Sequence, residues 1–327
     1  MAMAKKSIEP TDPPSLSYAD AWMEKLQKQL PETVKSWDAD AIHQSRVATR
    51  RLAAALGVLE PVLSKEHRKP LAKTLRKLRR QLGPLRDLDV MLDHLTGFRP
   101  TPGIEWLRHH LGAERDDRRR HAADRLHPTR ALAKLGAWWA VRQEWAEAGD
   151  GVDGLLSNAV HLQLDALADR AADTAGDPHE MRIAAKALRY TLELAVESGH
   201  RLPASVARSF KRMQDALGAW HDMVVLADAA LDAAVDTGLA YHDADLHLAV
   251  VDVARSAVRR SVRHMGAFKE MWRSRGATLT DTIRSRFPIV VVDPESPVSE
   301  SQTDPDPLGS AGTPDPAPPA PADPAAG

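Results

Sequence analysis

The sequence predicts an all-α protein built as two pseudo-twofold-related four-helix bundles from an internal duplication, and three observations carry that expectation. Leucine and alanine recur at helical spacing through most of the 327 residues, with few β-branched runs and no valine-rich alternation before residue 288. Aromatics are scarce, at 5% of residues, while alanine and leucine abound. One pattern also occurs twice, about 136 residues apart: His43-Gln-Ser-Arg46-Val47-Ala-Thr-Arg50 returns as His179-Glu-Met-Arg182-Ile183-Ala-Ala-Lys186. Each copy has a leucine two places on, at Leu52 and Leu188.

The elements follow in order. A first helix is expected from Leu16 to about Leu30, closed by Pro31, and the first motif helix from near Asp40 to about Leu59. A third spans Lys65 to Leu82 and stops at Gly83-Pro84, the glycine-then-proline ending of many helices. A fourth starts near Asp87, a longer one covers Pro102 to about Leu126, and another runs near Arg130 to Ala148. The segment EAGDGVDG (147–154) breaks the pattern and reads as a linker, set at 149–154. Repeat two (about 155–287) restates repeat one (about 15–148). Its helices are expected over Leu155 to Asp173, Asp177 to Ser198, Pro203 to Leu217, Met223 to Val235 and His242 to about Arg275. Residues 1–14 are expected to form a disordered leader. Residues 288–327 form an acidic Pro/Ala-rich tail that cannot bury enough surface to repay ordering, after a short extended Ile289-Val-Val-Val292.

Further blocks support duplication. Leu75-Arg-Lys-Leu78 with Leu82-Gly83 matches Phe210-Lys-Arg-Met213 with Leu217-Gly218 at an offset of 135, and Arg115, Arg119 and Arg120 match Arg255, Arg259 and Arg260 at an offset of 140.

Composition narrows the chemistry. The chain has no cysteine, which excludes disulfides, thiolate catalysis and cysteine-ligated zinc. No apolar run approaches membrane length and the N-terminus lacks a signal-peptide core, so a cytoplasmic protein with no membrane partner is expected. The net charge of −1 hides an asymmetry: residues 287–327 hold seven acids and no Lys or Arg, leaving the rest with a net charge of +6.

The positive charge is organised on helix faces. On the first motif helix Ile42, Leu52, Ala55, Leu56 and Leu59 share one side, while His43, Arg46 and Arg50 lie roughly opposite with Arg51 at the margin. On the second, Met181, Leu188 and Leu192 face inward, and His179, Arg182, Lys186 and Arg189 outward. Lys73, Arg76 and Lys77 oppose Leu71, Leu75, Leu78 and Leu82; Arg208, Lys211 and Arg212 oppose Phe210, Met213 and Leu217. Solvated helix faces ordinarily interleave Glu with Lys; cations without interleaved acids repel one another. Their recurrence in both halves calls for a polyanionic partner. Asp177-Pro178-His179-Glu180 places an N-cap and a first-turn proline before His179, so its imidazole stands by free backbone N–H groups that favour anions. His43, after Asp38 or Asp40, is expected to sit similarly.

These motifs, HxxRVxxRRL and HxxRIxxKxLRY, each followed by an LG segment (LGPLRDLDV and LGAWHDMVV), resemble the CHAD domain, the conserved histidine α-helical domain, over about residues 15–287. The resemblance implies a stand-alone polyphosphate-binding protein with two four-helix bundles and a basic groove or pore, and no room in these 327 residues for the triphosphate tunnel domain that many relatives carry. By position it implies phosphate contacts from His43, Arg46, Arg50 and Arg51, and from His179, Arg182, Lys186 and Arg189. Lys73, Arg76, Lys77, Arg115, Arg119, Arg208, Lys211, Arg212, Arg255 and Arg259 are expected to supply the rest. Ala53 stands in the place of Arg189 and Ala187 in that of Arg51, so the halves are unequal.

The expected function is thus non-enzymatic binding of inorganic polyphosphate, with targeting to polyphosphate granules, no cofactor, no metal, no specific nucleic acid, and a monomer as the favoured state. A metal-dependent phosphohydrolase of condensed phosphates and a general nucleic-acid binder are the alternatives. Three tyrosines and four phenylalanines give few stacking platforms for bases, although eight tryptophans temper this. Gly149-Asp-Gly151-Val-Asp-Gly154 fits GxGxxG but follows a helix and carries two aspartates that would repel phosphate. His221-Asp222 matches Arg86-Asp87 in the first half, so only the aspartate recurs, which suits capping or pairing with arginine.

Overall fold

The computed structural model describes residues 12–149, 151–173, 176–236 and 238–289. These residues form helices and no strand. They are α1 (Pro14–Ser36), α2 (Ala39–Val58), α3 (Lys65–Thr96), α4 (Pro102–Arg125), α5 (Pro128–Leu135), α6 (Trp138–Ala148), α7 (Gly151–Ala172), α8 (Pro178–Glu197), α9 (Ala204–Asp236), α10 (Leu239–His242) and α11 (Ala244–Arg286). The tail beyond Ile289, with the rest of the expected extended segment, and nearly all of the expected leader lie outside the described residues. At the start of the described chain, Asp12 and Asp20 both engage Arg142 of α6.

The apolar faces named from sequence are the buried ones. Ile42, Leu52, Ala55 and Leu56 of α2, Met181, Leu188 and Leu192 of α8, and the leucines at 71, 75, 78 and 82 of α3 are all nearly inaccessible. Buried side chains fall into two clusters that cut across the halves. The larger joins α1, α2, α7, α8, the first parts of α3 and α9, α5, α6 and the ends of α4 and α11. The smaller gathers Leu88 to Leu95 of α3, Ile104 to Leu111 of α4, Met223 to Ala234 of α9 and Val250 to Ala257 of α11. The hairpins α3/α4 and α9/α11 therefore extend past the main core, and their far halves close a four-helix bundle of their own.

Several expected helix ends are not ends. Pro31 lies inside α1, and Gly83-Pro84 lies inside α3, which continues to Thr96. Pro84 removes one internal donor, but burial of Leu82, Leu85 and Leu88 on either side outweighs that local loss. Likewise α9 runs unbroken across the gap expected between Leu217 and Met223. α1 ends instead at Trp37, whose φ of 52° is left-handed. Arg115 of α4 fixes that strained turn by donating from Nη2 to the Trp37 carbonyl at 2.8 Å. The buried Thr33 and Ser45 hydroxyls, 2.8 Å apart, lock α1 to α2 just beyond it.

Candidate functional site

α2 and α8 lie beside each other, flanked by α3 and α9, and the faces that sequence assigned to solvent turn toward a shared cavity of about 230 Å³. His43, Arg46 and Arg50 reach it from α2, Arg182 and Lys186 from α8, Arg86 and Asp87 from α3, and His221 and Asp222 from α9. Arg46 is only 8% exposed, so it does not belong to an outer stripe. Its Nη1 donates to the Arg79 carbonyl at 2.9 Å, in the turn of α3 that precedes Pro84, and its Nη2 lies 3.9 Å from Asp87. The Nε atoms of Arg46 and Arg182 are buried without a hydrogen-bond partner among the described residues.

Four arginines, one lysine and two carboxylates share this lining. Burial, then Arg50, lowers the Arg46 guanidinium to about 10. Burial, then Arg182 and Arg50, brings the Lys186 ammonium down to about 7. Arg182 is likewise lowered, chiefly by burial. Burial and then Arg182 push His221 to about 4, and burial and then Arg86 hold His43 below its ordinary value. Asp222 is partly buried, which opposes its charge, but a hydrogen bond with His94 at 3.3 Å and the neighbouring Arg182 keep its carboxyl below the usual range. The site is thus short of negative charge and dry enough to register the deficit.

The two copies of the motif are seated differently. Asp177 caps α8, its carboxylate accepting from the His179 N–H at 2.8 Å, so His179 stands in the first turn and its ring lies 5.3 Å from that of His221. Asp38 caps α2 by accepting from the N–H groups of Asp40 and Ala41, which places His43 one turn deeper than expected, away from the free N–H groups.

Other residues singled out from sequence lie elsewhere. Arg51 and Arg189 both pair with Glu193 at 2.7 Å, and Arg51 also stacks over Trp22 at 4.1 Å; the three join α1, α2 and α8. Arg115 is held by the buried Asp89 as well as by Trp37, and Arg119 pairs with Asp116. Arg76 is exposed beside the half-buried Arg79. Lys73 and Lys77 line a separate hollow against α5. Arg208 is exposed, Lys211 pairs with Asp215 on its own helix, and Arg212 lies near Arg275. Arg255 pairs with Asp252, and Arg259 donates to the Ser256 hydroxyl.

Arg79 and Arg86 were missed as site residues because an α3 ending at Gly83 sets them on different elements. The recurrence of Asp87 and Asp222 was the usable signal. Each faces the arginine of its own half's motif, Arg46 for Asp87 by distance and Arg182 for Asp222 by its field.

Fold and site together define an all-helical domain with a cation-lined cavity between two histidine-led helices. The chain matches the CHAD domain family over residues 17–231, more than half its length, and it belongs to that family. The crystal structure of the CHAD domain from the plant Ricinus communis is similar with a TM-score of 0.57 at 23% identity, covering 88% of this chain and 96% of that one. PptA from Streptomyces chartreusis is similar with a TM-score of 0.55 at 18% identity, covering 81% of this chain and 100% of that one. At such identities the likeness is one of fold. No curated protein matches the chain. No described helix is long and apolar enough to cross a membrane.

Proposed function

We propose that this protein binds inorganic polyphosphate in the cavity between α2 and α8 without hydrolysing it, and that binding directs it to polyphosphate granules in the cytoplasm. The observation that carries this reading is the convergence of Arg46, Arg50, Arg86, Arg182 and Lys186 on one cavity with the Nε atoms of Arg46 and Arg182 unpartnered. A buried guanidinium with an unused donor costs stability, and an entering anion restores what is lost. Polyphosphate carries a charge on every phosphate and has no base to stack. The lining accordingly includes no Phe, Tyr or Trp, which supports polyphosphate over single-stranded nucleic acid. Arginine matches phosphate oxygens in a bidentate manner, and it holds four of the five basic positions contributed by Arg and Lys.

Hydrolysis is the second reading, since Asp87 and Asp222 share the cavity with the phosphate-binding groups. Among the described residues no three His, Asp or Glu side chains come together as a metal site.

The test is titration of long-chain polyphosphate into the wild-type protein and into a variant with Arg46, Arg50, Arg182 and Lys186 changed to glutamate, with charge-matched RNA as competitor and circular dichroism to check folding. Binding that RNA does not displace and that the folded variant lacks is the expected result. Equal displacement by RNA contradicts the polyphosphate assignment, and release of phosphate on adding divalent metals contradicts the non-enzymatic one.

A further inference from the structure

A second group of cations gathers at the far ends of the hairpins, where the α3–α4 turn meets the middle of α11. It lines a hollow of about 350 Å³ that shares no residue with the cavity between α2 and α8. Arg99, Arg259, Arg260 and Arg263 stand on its walls, and among the described residues none of the four makes an ion pair. Some surface arginines elsewhere are neutralised locally: Arg118, Arg119, Arg120 and Arg273 each pair with a carboxylate three or four residues away. The one carboxylate on the wall of the hollow, Asp252, is held by Arg255 at 3.2 Å. Arg259 and Arg263, four residues apart on one helix, repel each other with nothing between them to offset the cost.

The walls are set rather than loose. The Arg260 guanidinium lies 3.6 Å from the Phe98 ring centroid and donates from Nη2 to the Gly97 carbonyl at 3.2 Å, which fixes the cation and leaves most of its donors unused. Arg259 is steadied by its bond to the Ser256 hydroxyl at 2.9 Å. Gly103 lets the start of α4 press against α11, because a Cβ there would stand 2.5 Å from the Ala249 carbonyl group. The Thr101 hydroxyl, capping α4, adds a polar group to the same wall.

We infer that this hollow is a second anion site that takes a linear inorganic oligophosphate. Four uncompensated guanidinium groups suit a ligand with several negative charges rather than one. Phe98 is the only aromatic ring on the wall and Arg260 already covers it, so a nucleotide base finds no face to stack on.

The two sites are close. Met91 lines the cavity and Phe98 the hollow, seven residues later along α3 and its end, or about 10 Å at the helical rise. His94, bonded to Asp222 at the cavity, lies between them, and the partly buried His264 sits within the fields of His94, Arg260 and Arg263. One long chain can therefore occupy both, a consequence that alone rests on the polyphosphate reading.

Calorimetric titration of tripolyphosphate into the full chain at low salt tests the inference. Two sites are expected in the wild type. Arg259→Gln with Arg263→Gln should leave one, and Arg50→Gln with Lys186→Gln should leave the other; none of these four side chains holds an ion pair whose loss would disturb folding. For long polyphosphate the tip variant should lose roughly tenfold or more in affinity as the second attachment goes. A single site in the wild type, or two sites unaffected by the tip substitutions, overturns the inference. Tighter binding of ATP than of tripolyphosphate at the hollow overturns its assignment to a free oligophosphate. A tip site that persists while the cavity substitutions change nothing refutes the proposed cavity function instead.

Discussion

Arg46 passes so close to Gly83 that a Cβ at Gly83 would stand 3.1 Å from its Nη1. The glycine of the LG segment is thus the gap through which the first motif's arginine reaches the Arg79 carbonyl. Its counterpart in the second half, Gly218, has nothing within 4 Å of the same position and borders the open cavity.

Gly83→Ala and Gly218→Ala should therefore part ways. Alanine at 218 gains helix propensity in open space and should stabilise the protein by roughly 0.5–1 kcal/mol in urea unfolding. At 83 the same gain is offset by displacing the Arg46 hydrogen bond, so stability should change little while polyphosphate affinity falls about fivefold, the worth of about 1 kcal/mol.

Lys186 sets the pH dependence near neutrality. Its folded-state value of about 7 lies below the ordinary 10.5, so between these limits the unfolded chain holds the proton more readily. This contribution makes stability of the ligand-free protein rise with pH from about 7 toward 10.5, and Lys186→Met should flatten the rise in thermal unfolding. Bound phosphate restores the charged form, so binding near pH 8 should take up a proton, measured as a dependence of binding enthalpy on buffer ionisation enthalpy. An unshifted histidine would place the gain in affinity near pH 6.5. The structure assigns neutral pH to the lysine instead, because burial and arginine neighbours hold His43 and His221 neutral to lower pH.

Glu193 holds two cations away from the cavity. Glu193→Gln should cost roughly 1 kcal/mol of stability, since the half-sheltered Arg51 and Arg189 lose their shared partner. Polyphosphate affinity should not fall, and Arg51→Ala should leave it nearly unchanged where Arg50→Ala lowers it.

Arg115 and Arg255 occupy matching places in the sequence and should behave unlike each other. Arg115→Ala strands the buried Asp89 and the strained Trp37 turn, for a loss of about 2–3 kcal/mol by denaturant unfolding. Arg255→Ala removes an exposed pair with Asp252 and should stay within about 0.5 kcal/mol.

The core was legible because leucine spacing on α2, α3 and α8 encodes burial directly, as Leu52, Leu75 and Leu188 show. Helix ends were less so. Gly83-Pro84 carries the local signature of a stop, yet packing of Leu82 and Leu85 carries α3 through it, a tertiary override invisible in a local window. The motif arginines were found, but an amphipathic pattern distinguishes only inside from outside. It does not show that the polar faces of α2 and α8 turn toward each other, which buries Arg46 and draws in Arg86 and His221 from helices on either side. Nor does it separate Arg50, which stays at the cavity, from its neighbour Arg51, which Glu193 captures from 142 residues away.

The most direct test of the account is the salt dependence of polyphosphate affinity for the wild type and for Arg50→Gln with Lys186→Gln. Release of counterions by cavity cations predicts a steep fall in log affinity with log salt for the wild type, and a slope shallower by roughly 1–2 units in the variant, together with weaker binding. An affinity indifferent to salt, or a slope and affinity unchanged by removing both cavity cations, would contradict it.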